Sequence, residues 1–107
     1  MTLTITYDDE KYTLGYTRAT IRQMERVGFN IGKMETAPVS TAEDLFMGAF
    51  LMRHRKLKPE KISEIYKHIE DKEGLLTKLI EMYQESVSTL MEEPEENDTK
   101  KATWEVE

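Results

Sequence analysis

One stretch, Ser40 to Arg55 (STAEDLFMGAFLMRHR), is apolar on nearly all sides, and it limits what the rest of the chain can do. At about 100° per residue, Ala42, Leu45, Phe46, Ala49 and Phe50 share one helical face, and Met47 and Leu51 fall almost opposite. A helix with two apolar faces needs neighbours on both. The spacing predicts a central helix over 41–55. Ser40 would be its N-cap, with Glu43 completing a capping box and Arg53, Arg55 and Lys56 at the end where the helix dipole favours cations.

The flanking segments supply those neighbours. Leu3, Ile5 and Tyr7 alternate with threonines, and Tyr12, Leu14 and Tyr16 repeat the alternation after the polar residues Asp8, Asp9 and Glu10. A period of two with β-branched and aromatic residues reads as an antiparallel hairpin over 2–16. Its apolar face must lie on helices or pair with strands of another copy, since a lone hairpin is marginal in water. Thr17 fits the N-cap of a short helix over 18–27, with Ile21, Met24 and Val27 on one side, Gly28 as its C-terminal stop and Phe29 folding back. Asn30 to Val39, with Gly32 and Pro38, reads as a loop anchored by Ile31, Met34 and Val39. Pro59 suits the first turn of a helix over 59–70 with Ile62, Ile65, Tyr66 and Ile69 in a stripe. Leu75, Leu76, Leu79, Ile80, Tyr83, Val87 and Leu90 make a broader stripe on a last helix over 73–91. The expected architecture is α+β: a single domain over 1–91, hairpin first and about four helices after it, then a disordered acidic tail over 92–107.

Charge and composition narrow the function classes. The net charge is −6, and the tail from Glu92 onward carries −5 of it, leaving a body close to neutral. A neutral body speaks against general nucleic-acid binding, which works by releasing phosphate counterions from a basic surface. The cluster RHRKLK, Arg53 to Lys58, is the one basic run, and it lacks the interleaved aromatics that stack on bases. With no cysteine there is neither a disulfide framework nor a thiolate metal site. No apolar run approaches a membrane span, and the N-terminus has no signal-peptide pattern, so the cytoplasm is the expected compartment.

Catalytic chemistry has little to stand on. His54 and His68 lie far apart, and Glu64 with His68 at i, i+4 reads more simply as a solvated face than as a metal site. Asp8 with Asp9 and Glu43 with Asp44 are explained by turn formation and capping. No glycine-rich phosphate loop follows a strand. The expectation is a non-enzymatic protein with no cofactor and no metal.

More informative is the back of the central helix. Met47 and Leu51, beside a Gly48 that permits close backbone approach, form either a second buried side or an exposed apolar patch that a partner must cover. Seven methionines suit a surface that repacks on varied hydrophobic partners, or an ordinary core. Trp104, in the final TWEVE, is either a short docking peptide or a side chain that packs back on the body.

The order YTR at Tyr16 to Arg18, ME at Met24 and Glu25, GF at Gly28 and Phe29, and LFMGAFL at Leu45 to Leu51, with the acidic tail ending in TWEVE, resembles small proteins of the tail gene module of long-tailed bacteriophages and prophages. These include tail assembly chaperone-like proteins. The resemblance implies a protein of the bacterial host's cytoplasm that binds hydrophobic helical segments of the tape measure protein, and of the major tail protein or other tail subunits, during virion assembly. Self-association is left open. The partner-binding residues it directs attention to are Met47, Phe50, Leu51, Tyr83, Leu90 and Trp104. The alternatives are a structural tail completion or connector protein that oligomerises through its hairpin edge, and a small DNA-binding regulator using Arg53, Arg55, Lys56 and Lys58.

Overall fold

The computed structural model describes residues 1–92 and 102–106, with the backbone alone for 90–92. Strands β1 (Thr2–Tyr7) and β2 (Glu10–Gly15) pair antiparallel, Leu3 opposite Leu14 and Ile5 opposite Tyr12. Asp8 and Asp9 between them have φ of 52° and 65°. Two successive left-handed residues make the tight hairpin turn whose twist matches that of the strands, and aspartate tolerates that conformation. The pairing puts Ile5, Tyr12 and Leu14 on one buried face, with Thr2, Thr4 and Thr6 in solvent. That face is covered by the chain's own helices.

Helix α1 (Arg18–Arg26) opens with a reciprocal cap in which Thr17 and Thr20 each bond the other's backbone N–H. It closes at Gly28, where φ is 100°. The Gly28 N–H donates to Glu25 O at 3.0 Å and the Phe29 N–H to Met24 O at 3.0 Å, so the last carbonyls are satisfied. This turn drives Phe29 inward, where its ring meets Tyr83 edge-on at 5.4 Å. A short 3₁₀ turn (Ile31–Met34), capped by Asn30, leads to α2 (Pro38–Ala49).

Helix α2 occupies the centre. Leu45, Ala49 and Phe50 are fully buried and Phe46 nearly so. The Phe46 and Phe50 rings sit edge-on at 5.1 Å; Phe50 also meets Tyr12 of β2 at 5.9 Å, and Phe46 meets Tyr66 of α3 (Pro59–Lys67) at 4.9 Å. Helix α4 (Lys72–Glu92) closes the core with Leu79, Met82 and Tyr83. Tyr16, at the exit of β2, ties three elements together. Its hydroxyl donates to Leu45 O at 2.7 Å and its ring stands edge-on to Tyr83 at 5.4 Å.

The architecture is α+β, a hairpin followed by four helices, as the sequence pattern predicts. The boundaries differ in instructive ways. The central helix runs over Pro38–Ala49, not 41–55, and its N-cap is Ala37 without a side-chain bond. Pro38, expected in a loop, takes the first helical position, where its fixed φ costs nothing, so Ser40 and Glu43 form no capping box. The helical path loosens after Ala49 into successive turns (Leu51 N–H to Gly48 O, His54 N–H to Phe50 O), and Arg53, Arg55 and Lys56 therefore lie beyond the helix end. Helix α3 stops at Lys67, not at 70. The His68 ring Nδ1 bonds Glu64 O at 2.8 Å, taking the acceptor its own backbone N–H would have used, and that N–H turns to Ile65 O. Val27 and Val39, expected to pack, are 82% and 72% exposed because the Gly28 turn and the Pro38 start rotate them outward. Met82, absent from the expected stripe of the last helix, is in the core. The tail expected to be disordered lies mostly outside the described residues.

Gly48 makes room on α2 for the Met24 side chain of α1. A Cβ there would overlap the Sδ and Cε atoms of Met24. Gly48→Leu should destabilise by about 1–3 kcal/mol through overpacking, and Met24→Ala in the same chain should recover part of that loss. Urea unfolding of the two single variants and the double variant measures the coupling.

Tyr16 gives a second test. Burial pushes its phenol well above the ordinary value of 10.0, so the folded state holds the proton that the unfolded chain releases. Stability should therefore be intact below about pH 10 and fall above it, by at most about 1.4 kcal/mol per pH unit from this group. Tyr16→Phe should flatten that alkaline loss, as read from unfolding midpoints between about pH 8 and about pH 11.

Candidate functional site: an apolar cleft behind the central helix

The face of α2 opposite its buried phenylalanines is only partly covered. Met47 and Leu51 are half-buried, and between α1, α2 and the start of α3 they line a cleft of about 410 Å³. Met24 of α1 and Val27 just past its end form one wall and Pro59 and Ile62 of α3 the other, with Phe29 and Phe50 behind. A second recess of about 220 Å³ lies between Phe46, Met47, Ile62 and Tyr66. Met47 and Ile62 belong to both, so the two recesses form one apolar track divided by a methionine ridge.

Local sequence explains why the cleft exists. Gly48 lets α1 come close at one point through Met24, while α2 ends at Ala49 and α3 restarts only at Pro59. The connection over 50–58 is held back against the hairpin instead of filling the gap. His54 Nε2 accepts the Thr13 backbone N–H at 3.0 Å, and its ring packs against Tyr12 at 5.4 Å. This bond satisfies a donor on the outer edge of β2 and requires the unprotonated Nε2 of a neutral imidazole. Arg55 crosses the mouth, its guanidinium donating to Gln23 Oε1 at 2.8 Å.

The cleft is electrostatically lopsided. Arg53, Arg55, Lys56 and Lys58 gather at the connection with no acidic residue among them, whereas Asp44 and Glu43 stand toward the other end of α2.

Away from the cleft, Glu64 accepts hydrogen bonds from Tyr7 at 2.9 Å and Lys61 at 3.1 Å, and Lys61 lies over the Tyr7 ring. The Lys61 and Tyr7 hydrogen bonds hold the Glu64 carboxyl below its ordinary value. Glu64 and His68, the pair whose spacing could have suited a metal, are thus engaged in fastening α3 to the hairpin and in ending α3. Among the described residues no group of three histidine, aspartate or glutamate side chains could hold a metal ion.

The residues singled out from sequence divide three ways. Met47 and Leu51 meet in the cleft. Phe50 is fully buried and Tyr83 is 4% exposed between Tyr16 and Phe29, so both support the walls and offer no surface to a partner in this conformation. The Leu90 side chain lies outside the described residues, and Trp104 is 85% exposed. Met24, Leu57 and Ile62 complete the lining without having been singled out. Leu57, an apolar residue between lysines in a connection, was the available clue.

Compared with known proteins, the chain matches over residues 1–107 the model of a family described as a domain of unknown function, DUF5055. Neither a curated protein nor a solved structure matches it.

His54 should matter for the back wall of the cleft. His54→Ala would leave the Thr13 N–H without its acceptor at a cost of about 1–3 kcal/mol. Faster hydrogen exchange at the Thr13 amide, with partial protection restored in His54→Gln, is the expected NMR result.

Proposed function

Because the chain belongs to the DUF5055 family, a domain of unknown function, we propose its role from the cleft: it is an assembly chaperone of the phage-tail kind, holding hydrophobic helical segments of a tape measure protein or of tail subunits until they are assembled. The observation that carries this reading is the track through Met47, Leu51 and Ile62, apolar, open and lined by flexible thioethers. An amphipathic helix presents side chains at i, i+3 and i+4, and two recesses on either side of one ridge suit successive side chains of such a helix. The sequence resemblance to tail-module proteins points to the same class of client.

Magnitudes decide how such a protein would work. Burying two large aliphatic side chains yields about 3–6 kcal/mol. Association alone costs about 4–15 kcal/mol in lost freedom. One cleft therefore holds a helix weakly, and useful retention needs several copies along a long client. Weak sites in series also release the client when a stronger partner arrives.

A second reading, a structural tail component, draws on the hairpin. The outer edge of β2 is capped at Thr13 by His54, but among the described residues no strand pairs with the outer edge of β1. An open edge is a site for adding a strand from another copy.

Co-expression with a phage tape measure protein tests the proposal. The client should become soluble and co-purify with several copies of this chain. Leu51→Asp, at a half-buried position, should lose at least about tenfold in retention while the circular dichroism of the folded domain persists. Failure to associate, together with recovery of this chain from purified virions, would replace the chaperone reading with the structural one.

A further inference from the structure

Trp104 and Val106 are the two most exposed large apolar side chains described, at 85% and 86%. They alternate with Glu105 and Glu107 at the end of a tail carrying a net charge of −5. The cleft offers the complementary pair of properties, an apolar trough and, at the end away from Asp44, Arg55 in its lining with Arg53, Lys56 and Lys58 beside it on the exposed connection. We propose that the chain's own C-terminal segment, residues 102–106, docks in the Met24–Met47–Leu51 cleft of the same molecule and occupies it when no client is bound.

The chain is long enough to make this connection. Thr89 of α4 lies beside Thr17 and Arg18, at the start of α1, and the cleft begins at Gln23 and Met24 in the last turns of that helix. A nine-residue helix is about 14 Å long. The dozen residues from Glu92 to Trp104 span up to about 40 Å when extended, so the tether reaches with slack. A slack tether fits a displaceable occupant, because its effective concentration stays modest.

The chemistry favours this occupant over a second surface. The indole would lie among Met24, Met47 and Leu51, within reach of the Arg55 guanidinium, an arrangement that adds cation–π attraction to apolar burial. The glutamates on either side of Val106 would face the basic connection, an attraction that salt screens. The hydrogen bond of Arg55 to Gln23 at the mouth is an exposed one, so Arg55 can turn to the tail without breaking a core contact. The inference rests on the proposed function in taking this cleft as the working surface, and it adds that the free protein covers the surface itself.

Trp104 is the only tryptophan, so its fluorescence in the full chain reports docking without a client. Wild-type emission should be blue-shifted and several-fold better shielded from acrylamide than a free indole amide, independent of protein concentration. Met47→Glu should expose the indole. Arg55→Glu with Lys58→Glu, both on the exposed connection, should make it as accessible as high salt does in the wild type. Circular dichroism identifies any variant that unfolds, and the connection variant carries the test if Met47→Glu does. A freely quenched wild-type Trp104, or shielding that neither variant alters, would overturn the docking. Shielding that disappears on dilution as a dimer dissociates would assign the occupant to a second copy and overturn docking within one molecule. These readings need no client, so they stand or fall separately from the co-expression result.

Discussion

The edge-on pair of Phe46 and Phe50 is the contact on which both halves of the molecule close. These rings project from α2 toward Tyr12 of the hairpin and Tyr66 of α3, so one helical face joins elements distant in sequence. Burying two phenylalanines contributes about 3–6 kcal/mol, a large share of what a domain of this size has to spare. A two-stranded hairpin has no such reserve. It persists because Ile5, Tyr12 and Leu14 finish the core that α2 begins.

Satisfying that face leaves the other one open. The helices that flank α2 meet it at restricted places: α1 through the Gly48 and Met24 approach, α3 across Phe46 and Tyr66. The connection that carries Leu51 away from the end of α2 is drawn toward β2, where His54 completes the Thr13 hydrogen bond, and it leaves Met47 partly open. The cleft is therefore what remains after the hairpin edge and the aromatic core have been satisfied. Its lining sets half-buried Met47 and Leu51 against buried Met24, Ile62 and Phe50, so the open surface borders directly on the core.

The polar side chains around the core are engaged in holding the fold together. Glu64 and Tyr7 staple α3 to the hairpin, and Tyr16 is a buried structural donor held protonated. Neither histidine is spare: the His54 ring bonds the Thr13 N–H and the His68 ring the Glu64 carbonyl. What the cleft offers is apolar area beside a cluster of cations. Such a surface selects by shape and charge, which is what the proposed grip on helical segments would require.

The amino-acid sequence by itself determined the elements and most of the core. Period-two alternation gave the hairpin, Gly28 the end of α1, Pro59 the start of α3, and the apolar stripe of α2 its central place, because each of these is decided by local sterics or by which face can leave water. Met47 and Leu51 were legible as a second apolar face for the same reason. Whether that face would be covered was not. That depended on where the 50–58 connection runs, which the long-range bond from Thr13 to His54 decides, and on the separation of α1 and α3, which Gly48 and the Phe46–Tyr66 contact set. Phe50 and Tyr83 read as surface candidates and proved to be core, because helical periodicity places a residue on a face but cannot say which neighbour arrives there. Contacts between residues far apart in the chain carry no local signature, and it is such contacts that bring the wall from α1 up to the lining that 44–62 supplies.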